Sequence, residues 1–291
     1  VLIYSFIYKH RFQYRVEKMC TVLEVSRSGY YKWIKREPSA REKRLKALDR
    51  KIRRLFNHFK KRAGSPTITA VLRKNGTAVS SKTVSRRMKE MGLKSITVRK
   101  VTATTNSKHD LPVFENVLNR QFTVLAPNKA WVTDITYIQT GEGWLYLASV
   151  MDLYSRRIVG FSMGARMTRE LVLDALEKAY KRRKPEPGLI HHSDRGSQYA
   201  SHDYRAKLQE YKMIGSMSRK GNCYDNACIE SFHSTLKKEF VYQTKFKTRK
   251  QAMRELYAYI EFDYNRLRPH STLGYETAHH FEQIYYRNQA V

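Results

Sequence analysis

LIHHSDRGSQYASHDYRAKLQEYKMIGSMSRKGNCYDNACIESFHSTLK, residues 189–237, opens on a short apolar run and closes on a helix-like segment. The run Leu189–Ile190 leads into a carboxylate, Asp194, and the closing segment carries another, Glu230, with 35 residues between them. Upstream, the segment AWVTDITYI holds a third carboxylate, Asp134, inside an apolar and β-branched run. A charge in mid-strand is costly to bury unless it is paired or binds metal. Three carboxylates brought together would make an all-oxygen site for Mg²⁺, a hard cation suited to phosphate chemistry. Any one of these acids taken alone reads as readily as a structural or solvated group.

Around this stretch the sequence is strand-rich. WVTDITYIQT, WLYLASVMDLYS and RRIVGFSMG read as three strands, and the short Gly-bearing connections make them an antiparallel meander. TRELVLDALEKAYKRR follows as an amphipathic helix with Leu171, Val172, Ala175, Leu176 and Ala179 on one side. GLIHH is a buried strand, DYRAKLQEYKM a helix and IGSMS a short strand. ACIESFHSTLKKEF is a helix whose apolar face is Ile229, Phe232, Leu236 and Phe240, with Glu230 at its margin. Beyond it, Thr248 and Gln251 have capping-box spacing for a helix carrying Met253, Leu256, Ile260 and Tyr264. Pro269 ends that helix, and a final one is expected after Thr277.

The front half has a different texture. Val16, Met19, Cys20 and Leu23 recur at helical spacing, and Glu24–Val25–Ser26 makes a turn from which Ser26 can cap a second helix. Arg27, Ser28, Tyr31 and Lys32 lie on that second helix, giving a helix-turn-helix pattern, although the turn has Glu24 where Gly is usual. Residues 67–93 repeat the idea. Ile68, Val71 and Leu72 face inward, Asn75–Gly76 ends the first helix, and Ser80 or Ser81 caps a second helix with Val84, Met88 and Met91 inside. Lys82, Arg86, Arg87 and Lys89 are left outside, where they serve either as a solvated face or as phosphate contacts. Between the two patterns a charged helix carries a packing stripe of Leu45, Leu48, Ile52, Leu55 and Phe59. The expected segments are therefore 1–60 and 61–94, both helix-turn-helix-like, a linker over 95–125, a catalytic core over 126–241 and a helical C-terminal extension over 242–291.

The segments WVTDITYI, MDLYSRRIVG, HSDRGSQYAS, GNCYDNACIESFHSTLKKE and YNRLRPHSTLGY resemble the DDE transposases of bacterial insertion sequences. They are similar in particular to the orfB-type product of elements read in two frames, relatives of retroviral integrases, and the resemblance covers nearly the whole chain. It implies a fold of α + α/β type: a helical helix-turn-helix region, a ribonuclease-H-like mixed-sheet core and a helical extension. It also implies that Asp134, Asp194 and Glu230 are the catalytic and metal-binding triad for two Mg²⁺ ions, with Mn²⁺ a possible substitute. Lys237, seven residues after Glu230 and so on the same helical face, matches a basic residue such enzymes use near DNA. His192 and Asn226 are candidates to orient the metal ligands, or equally to pack structurally. The implied partners are terminal inverted repeats and target DNA, further copies of the chain in a synaptic complex, and the element's first-frame product. The chain departs from the family in AGSPTIT, with Ala63 and Thr67 for the usual Tyr and Arg, and at Ala278, where Pro is common.

Composition narrows the alternatives. The 291 residues carry a net charge of +30, and the excess is uneven: 30 basic against 8 acidic residues in 1–125, a net of +22, but only +8 in 126–291. Such a front half points to a polyanionic partner, nucleic acid first. Three cysteines, Cys20, Cys223 and Cys228, form no CxxC pair and no disulfide framework, so a reducing cytoplasmic setting is expected, and the resemblance implies that the cell is bacterial. No apolar run approaches the ~18 residues of a membrane span. The start, VLIYSFIY, lacks the basic region and cleavage site of a signal peptide. Two other functions compete with the transposase reading. A non-catalytic DNA-binding repressor or decoy would not need the triad, and a simple ribonuclease H would not need the basic helical half.

Overall fold

Ile7, Met19, Cys20 and Tyr30 come from three short helices and close into one small core. The helices are α1 (Leu2–His10), α2 (Val16–Val22) and α3 (Arg27–Lys35). The apolar start of the chain is thus helical, and Tyr4 and Ile7 pack it against the helix-turn-helix pair. Ser26 caps α3 by accepting a hydrogen bond from Gly29 N. Glu24 takes φ +53°, the left-handed conformation usually left to glycine. The turn therefore keeps its geometry without Gly, at a cost of roughly 1–2 kcal/mol. The computed structural model describes residues 2–97 and 113–289, so the centre of the expected linker lies outside them. The chain divides into two units, residues 1–54 and 55–291.

A long charged helix, α4 (Ala40–His58), spans that division. Ile52 and Phe59 of the expected stripe are buried, and Phe56, one turn beyond Ile52, joins them. Then come α5 (Ser65–Lys74) and α6 (Ser81–Glu90). α5 ends at Asn75, with Gly76 at φ +75°, and Ser80 caps α6 through Thr83 N. Ile68 and Leu72 of α5 are buried, as are Val84 and Met88 of α6.

Strict alternation then builds the sheet. In β1 (Ala130–Thr140), Ala130, Val132 and Ile138 enter one apolar core, while Trp131 and Ile135 enter the other. β2 (Gly143–Asp152) and β3 (Ile158–Gly164) complete the antiparallel meander, with Asp134 opposite Ser149. α7 (Arg169–Arg183) covers one face. It lies so close to β3 that a Cβ on Gly160 would stand 2.5 Å from Ala175 O, so only glycine fits there. β4 (Ile190–Ser193) returns parallel to β1. After α8 (Ser197–Ala200) and α9 (His202–Glu210), β5 (Ile214–Met217) pairs parallel to β4. The order is β3-β2-β1-β4-β5, the mixed ribonuclease-H-like sheet expected from the sequence.

The second face is covered by α10 (Ala227–Glu239) and α11 (Arg249–Ala258), whose Ile229, Phe232, Leu236, Ala252 and Leu256 join the first core. Apolar side chains on both faces are what a sheet buried on both sides requires. Thr248 caps α11 through Gln251 N, and Gln251 Oε1 accepts from Lys247 N. The helix does not stop at Ala258. It widens into a π-helix, Tyr259–Leu267, before Pro269, which changes the spacing of its buried residues to include both Ile260 and Asn265. A two-residue ladder pairs Pro269–His270 with Glu276–Thr277, and α12 (Ala278–Gln289) ends the described chain.

Two ionic groups tie the second unit together. Lys60 Nζ and Arg62 Nη1 reach the Asp263 carboxylate at 2.6 and 2.7 Å, and Lys74 pairs with Glu276. Ser95 Oγ donates to Arg62 O and Gln243 Nε2 donates to Ile96 O, so the α5–α6 pair is bound at both ends to the C-terminal extension. The other group is buried. Arg183 donates to Asp152 and to both oxygens of Glu282, and Arg157 and Ser155 also donate to Glu282. Asp152 is fully buried, and burial pushes its carboxyl up to about 6 despite N–H donors from Asn128 and Tyr154. Between the ordinary carboxylate value and 6 the folded protein therefore keeps a proton that the unfolded chain has lost. The stability Asp152 contributes falls as pH rises through that window and levels off above it. The stability difference between wild type and Asp152→Asn, measured by urea unfolding, is expected to shrink from pH 4 to 6 by at most about 3 kcal/mol. A pH-independent difference would remove Asp152 from the titrating groups.

Candidate active site

Register places the first two carboxylates. β1 and β4 pair in parallel with Val132 opposite His192. Two residues further along each strand, at or just past the end of β4, stand Asp134 and Asp194. Both are half-buried. Asp134 Oδ1 accepts from Ile135 N at 2.8 Å, and Oδ2 lies 3.3 Å from His233 Nδ1. Asp194 Oδ1 accepts from Gly196 N at 2.9 Å. Glu230 lies on the first turns of α10, which packs across β1. Partial burial raises the Glu230 carboxyl, and the charge of Asp134 raises it further. Glu230 and Asp134 are therefore electrostatic neighbours although they come from distant parts of the chain.

The groups beneath these acids are hydrogen-bonded scaffold. Asn226 Nδ2 donates to Thr133 O at 3.0 Å, which holds the loop before α10 to the backbone beside Asp134. Thr133 Oγ1 donates to Ser149 O and lies 3.3 Å from the Tyr199 hydroxyl. Burial drives that phenol well up, and Tyr204, Asp134 and Asp194 add to it. His192 is engaged by β5 and the turn after it instead. Its ring nitrogens meet the Ser216 and Ser218 hydroxyls at 2.8 and 3.2 Å, and burial lowers it to about 4. It ties β4 to β5 and touches none of the three acids. Lys237 lies with Nζ 4.6 Å from the centre of the Tyr137 ring, and burial lowers its pKa against the pull of Tyr137 and Asp134.

Among the described residues no three His, Cys, Asp or Glu side chains already converge closely enough to hold a metal ion. Asp134 and Asp194 each spend an oxygen on nearby backbone N–H groups. The chemistry of the set nevertheless suits a hard divalent cation. All three are oxygen donors, and the Asp134–Glu230 repulsion is a charge conflict that a cation relieves.

Comparison with known proteins agrees with this architecture. Residues 125–223 match the integrase core domain family, residues 211–277 match a second integrase core domain family, and residues 41–101 match an HTH-like domain. The chain is 45% identical to the "Insertion element IS600 uncharacterized 31 kDa protein" of Shigella sonnei, over 94% of this chain and 100% of that one. It is 43% identical to "Transposase InsF for insertion sequence IS3A" of Escherichia coli, over 96% of this chain and 98% of that one. The chain belongs to the family of IS3-type insertion-sequence transposases. Among solved structures, this family member overlaps the HTLV-2 integrase catalytic core domain in complex with magnesium over 54% of its length and 98% of that chain, at 16% identity and a TM-score of 0.43.

In this IS3-type chain the residues expected to touch DNA stand apart from the acids in sequence. Arg27, Ser28, Tyr31 and Lys32 are exposed on α3, and Arg27 pairs with Glu17. Lys82 and Arg86 are exposed on α6, whereas Arg87 is half-buried and paired with Glu90. Two residues escaped the sequence reading. His233 touches Asp134. Asp225, fully buried, receives Arg219 through backbone and side chain, Arg120, and Asn116 Nδ2. The Arg219 contacts, then the rest, hold its carboxyl well below the usual range. This knot fixes the loop that delivers α10, and hence Glu230. Its only trace in the sequence is an acid beside Asn226 within a basic loop.

Proposed function

We propose that the chain is a Mg²⁺-dependent DNA transposase that binds the terminal repeats of its element and cleaves and joins DNA strands. Asp134, Asp194 and Glu230 hold the metal in this reading. The carrying observation is that Asp134 and Asp194 stand in equivalent register on, or just past, adjacent parallel strands, and that α10, packed on β1, brings Glu230 within reach of the charge of Asp134. Relatives named as transposases, matched over nearly their whole length, support it. Two Mg²⁺ ions, or Mn²⁺ in their place, would supply charge stabilisation at both oxygens of an in-line phosphoryl displacement. Asp134 and Asp194 would hold them through the lone pairs that their present N–H partners leave open. Asn226 keeps the β1 backbone in place meanwhile. Lys237 presents its ammonium to the DNA backbone. Arg27, Ser28, Tyr31 and Lys32 of α3, with Lys82, Arg86 and Arg87 of α6, bind the terminal repeats through phosphates and base edges. Further copies of the chain synapse the two ends.

The test is cleavage and strand transfer on labelled oligonucleotides that carry the element's terminal repeats. Joined products are expected with Mg²⁺ or Mn²⁺, absent with Ca²⁺, and absent in Glu230→Gln. Binding without cleavage in every metal, even after addition of the first-frame product, would leave the non-catalytic binder as the function. Cleavage confined to RNA–DNA hybrids would favour a ribonuclease H.

A further inference from the structure

His233 is the polar group at this site for which the reading above has no use. It lies on α10, three residues beyond Glu230, and is only 6% exposed. Its Nδ1 stands 3.3 Å from Asp134 Oδ2, while Nε2 is buried with no hydrogen-bond partner among the described residues. Together these facts select a tautomer. A hydrogen on Nδ1 is donated to the carboxylate and leaves Nε2 as a bare lone pair. A hydrogen on Nε2 instead would bury an unpaired donor and set the Nδ1 and Oδ2 lone pairs against each other.

The torsion that turns an aspartate carboxylate about its last bond is soft and roughly two-fold. Asp134 Oδ1 is already held by Ile135 N, and a donor on Oδ2 fixes the plane from the other side. We propose that His233 is a positioning residue for Asp134. Its Nδ1–H holds the carboxylate in one orientation, so that the oxygen donors are set before a divalent cation arrives. The inference rests on the reading of Asp134 as a metal ligand. It also places the positioning group on the helix that carries Glu230, so any shift of α10 moves a ligand and the orienter of its neighbour together.

A histidine that only filled space would be replaced well by another ring, and this separates the two roles. In the full chain, His233→Asn keeps an N–H donor at the position of Nδ1. His233→Gln moves the donor out to the position of Nε2, and His233→Phe keeps a ring without a donor. Mn²⁺ alone is the probe, its free concentration read by electron paramagnetic resonance. The Asn variant is expected to bind Mn²⁺ like wild type, with Gln and Phe weaker by about 10–100-fold, the usual loss when a ligand's orienting partner is removed. Strand-transfer rates at limiting Mn²⁺ should rank the same way. Wild-type affinity in Phe or Gln would overturn the proposal, as would an Asn variant no better than Phe. Asp134→Asn run in parallel distinguishes the two failures. If it too binds Mn²⁺ normally, the metal reading of Asp134 falls and His233 with it. If it alone loses affinity, only the role of His233 falls.

Discussion

Asp134→Asn is expected to lower strand cleavage and transfer by at least about 10²–10³-fold, the scale of losing one electrostatic element of a reaction centre. Binding to terminal-repeat DNA should be unchanged. Asparagine preserves size and one acceptor, so Ile135 N keeps its partner. What disappears is the negative charge facing His233 and Glu230. That loss has a second readout. Burial and the charge of Asp134 both hold the Glu230 carboxyl above its ordinary value, so the variant should titrate Glu230 at lower pH in metal-free protein, measured by NMR of labelled glutamate. A loss of activity without movement of Glu230 would mean that the two acids act independently. Retained activity would exclude Asp134 from the centre.

Arg183→Leu is expected to cost about 3–5 kcal/mol in urea unfolding, because it removes the cation shared by two buried acids and leaves Asp152 without one, with only Arg157 still paired to Glu282. The side chains of both acids are at most 3% exposed, so water cannot substitute for the guanidinium. Burial alone would raise Glu282, yet Arg183 and Arg157 outweigh it and hold the carboxyl below its usual value. Removing the acid as well, in Arg183→Leu with Glu282→Leu, should recover part of the loss. Asp152 retains its two backbone donors in that double variant. A single-variant cost under about 1 kcal/mol would show that the group is solvated, since surface ion pairs contribute no more than that.

The sheet, its meander and the three acids were legible because each leaves a local signature. Strand alternation, Gly-bearing turns and a charge within an apolar run can all be read in a window of ten residues. Ser26, Ser80 and Thr248 were legible as caps for the same reason, and each accepts the expected backbone N–H. What escaped depends on partners far away in the chain. Asp225 takes its meaning from Arg120 and Asn116, more than a hundred residues upstream. His233 takes its meaning from Asp134 on another element. Before folding, His192 and Asn226 look alike, each a polar residue close to an acid. Only the registry of β4 with β5 sends His192 to two serines while Asn226 reaches β1. The π-helix at 259–267 escaped for another reason. The 3.6-residue spacing of Leu256, Ile260 and Tyr264 is genuine, and it conceals a five-residue step between buried Ile260 and Asn265.

The ion pairs from Lys60, Arg62 and Lys74 to the C-terminal extension bear on how such a protein can change over evolutionary time. The α5–α6 pair shares a wall with Asp263 and Glu276, so a different helical pair grafted in its place would leave those acids without cations. If α6 reads the element's ends as proposed, new recognition there has to be accompanied by changes some two hundred residues away. The first 54 residues carry their own core of Ile7, Met19, Cys20 and Tyr30. A change in the recognition proposed for α6 should therefore be found only in company with changes in the tail.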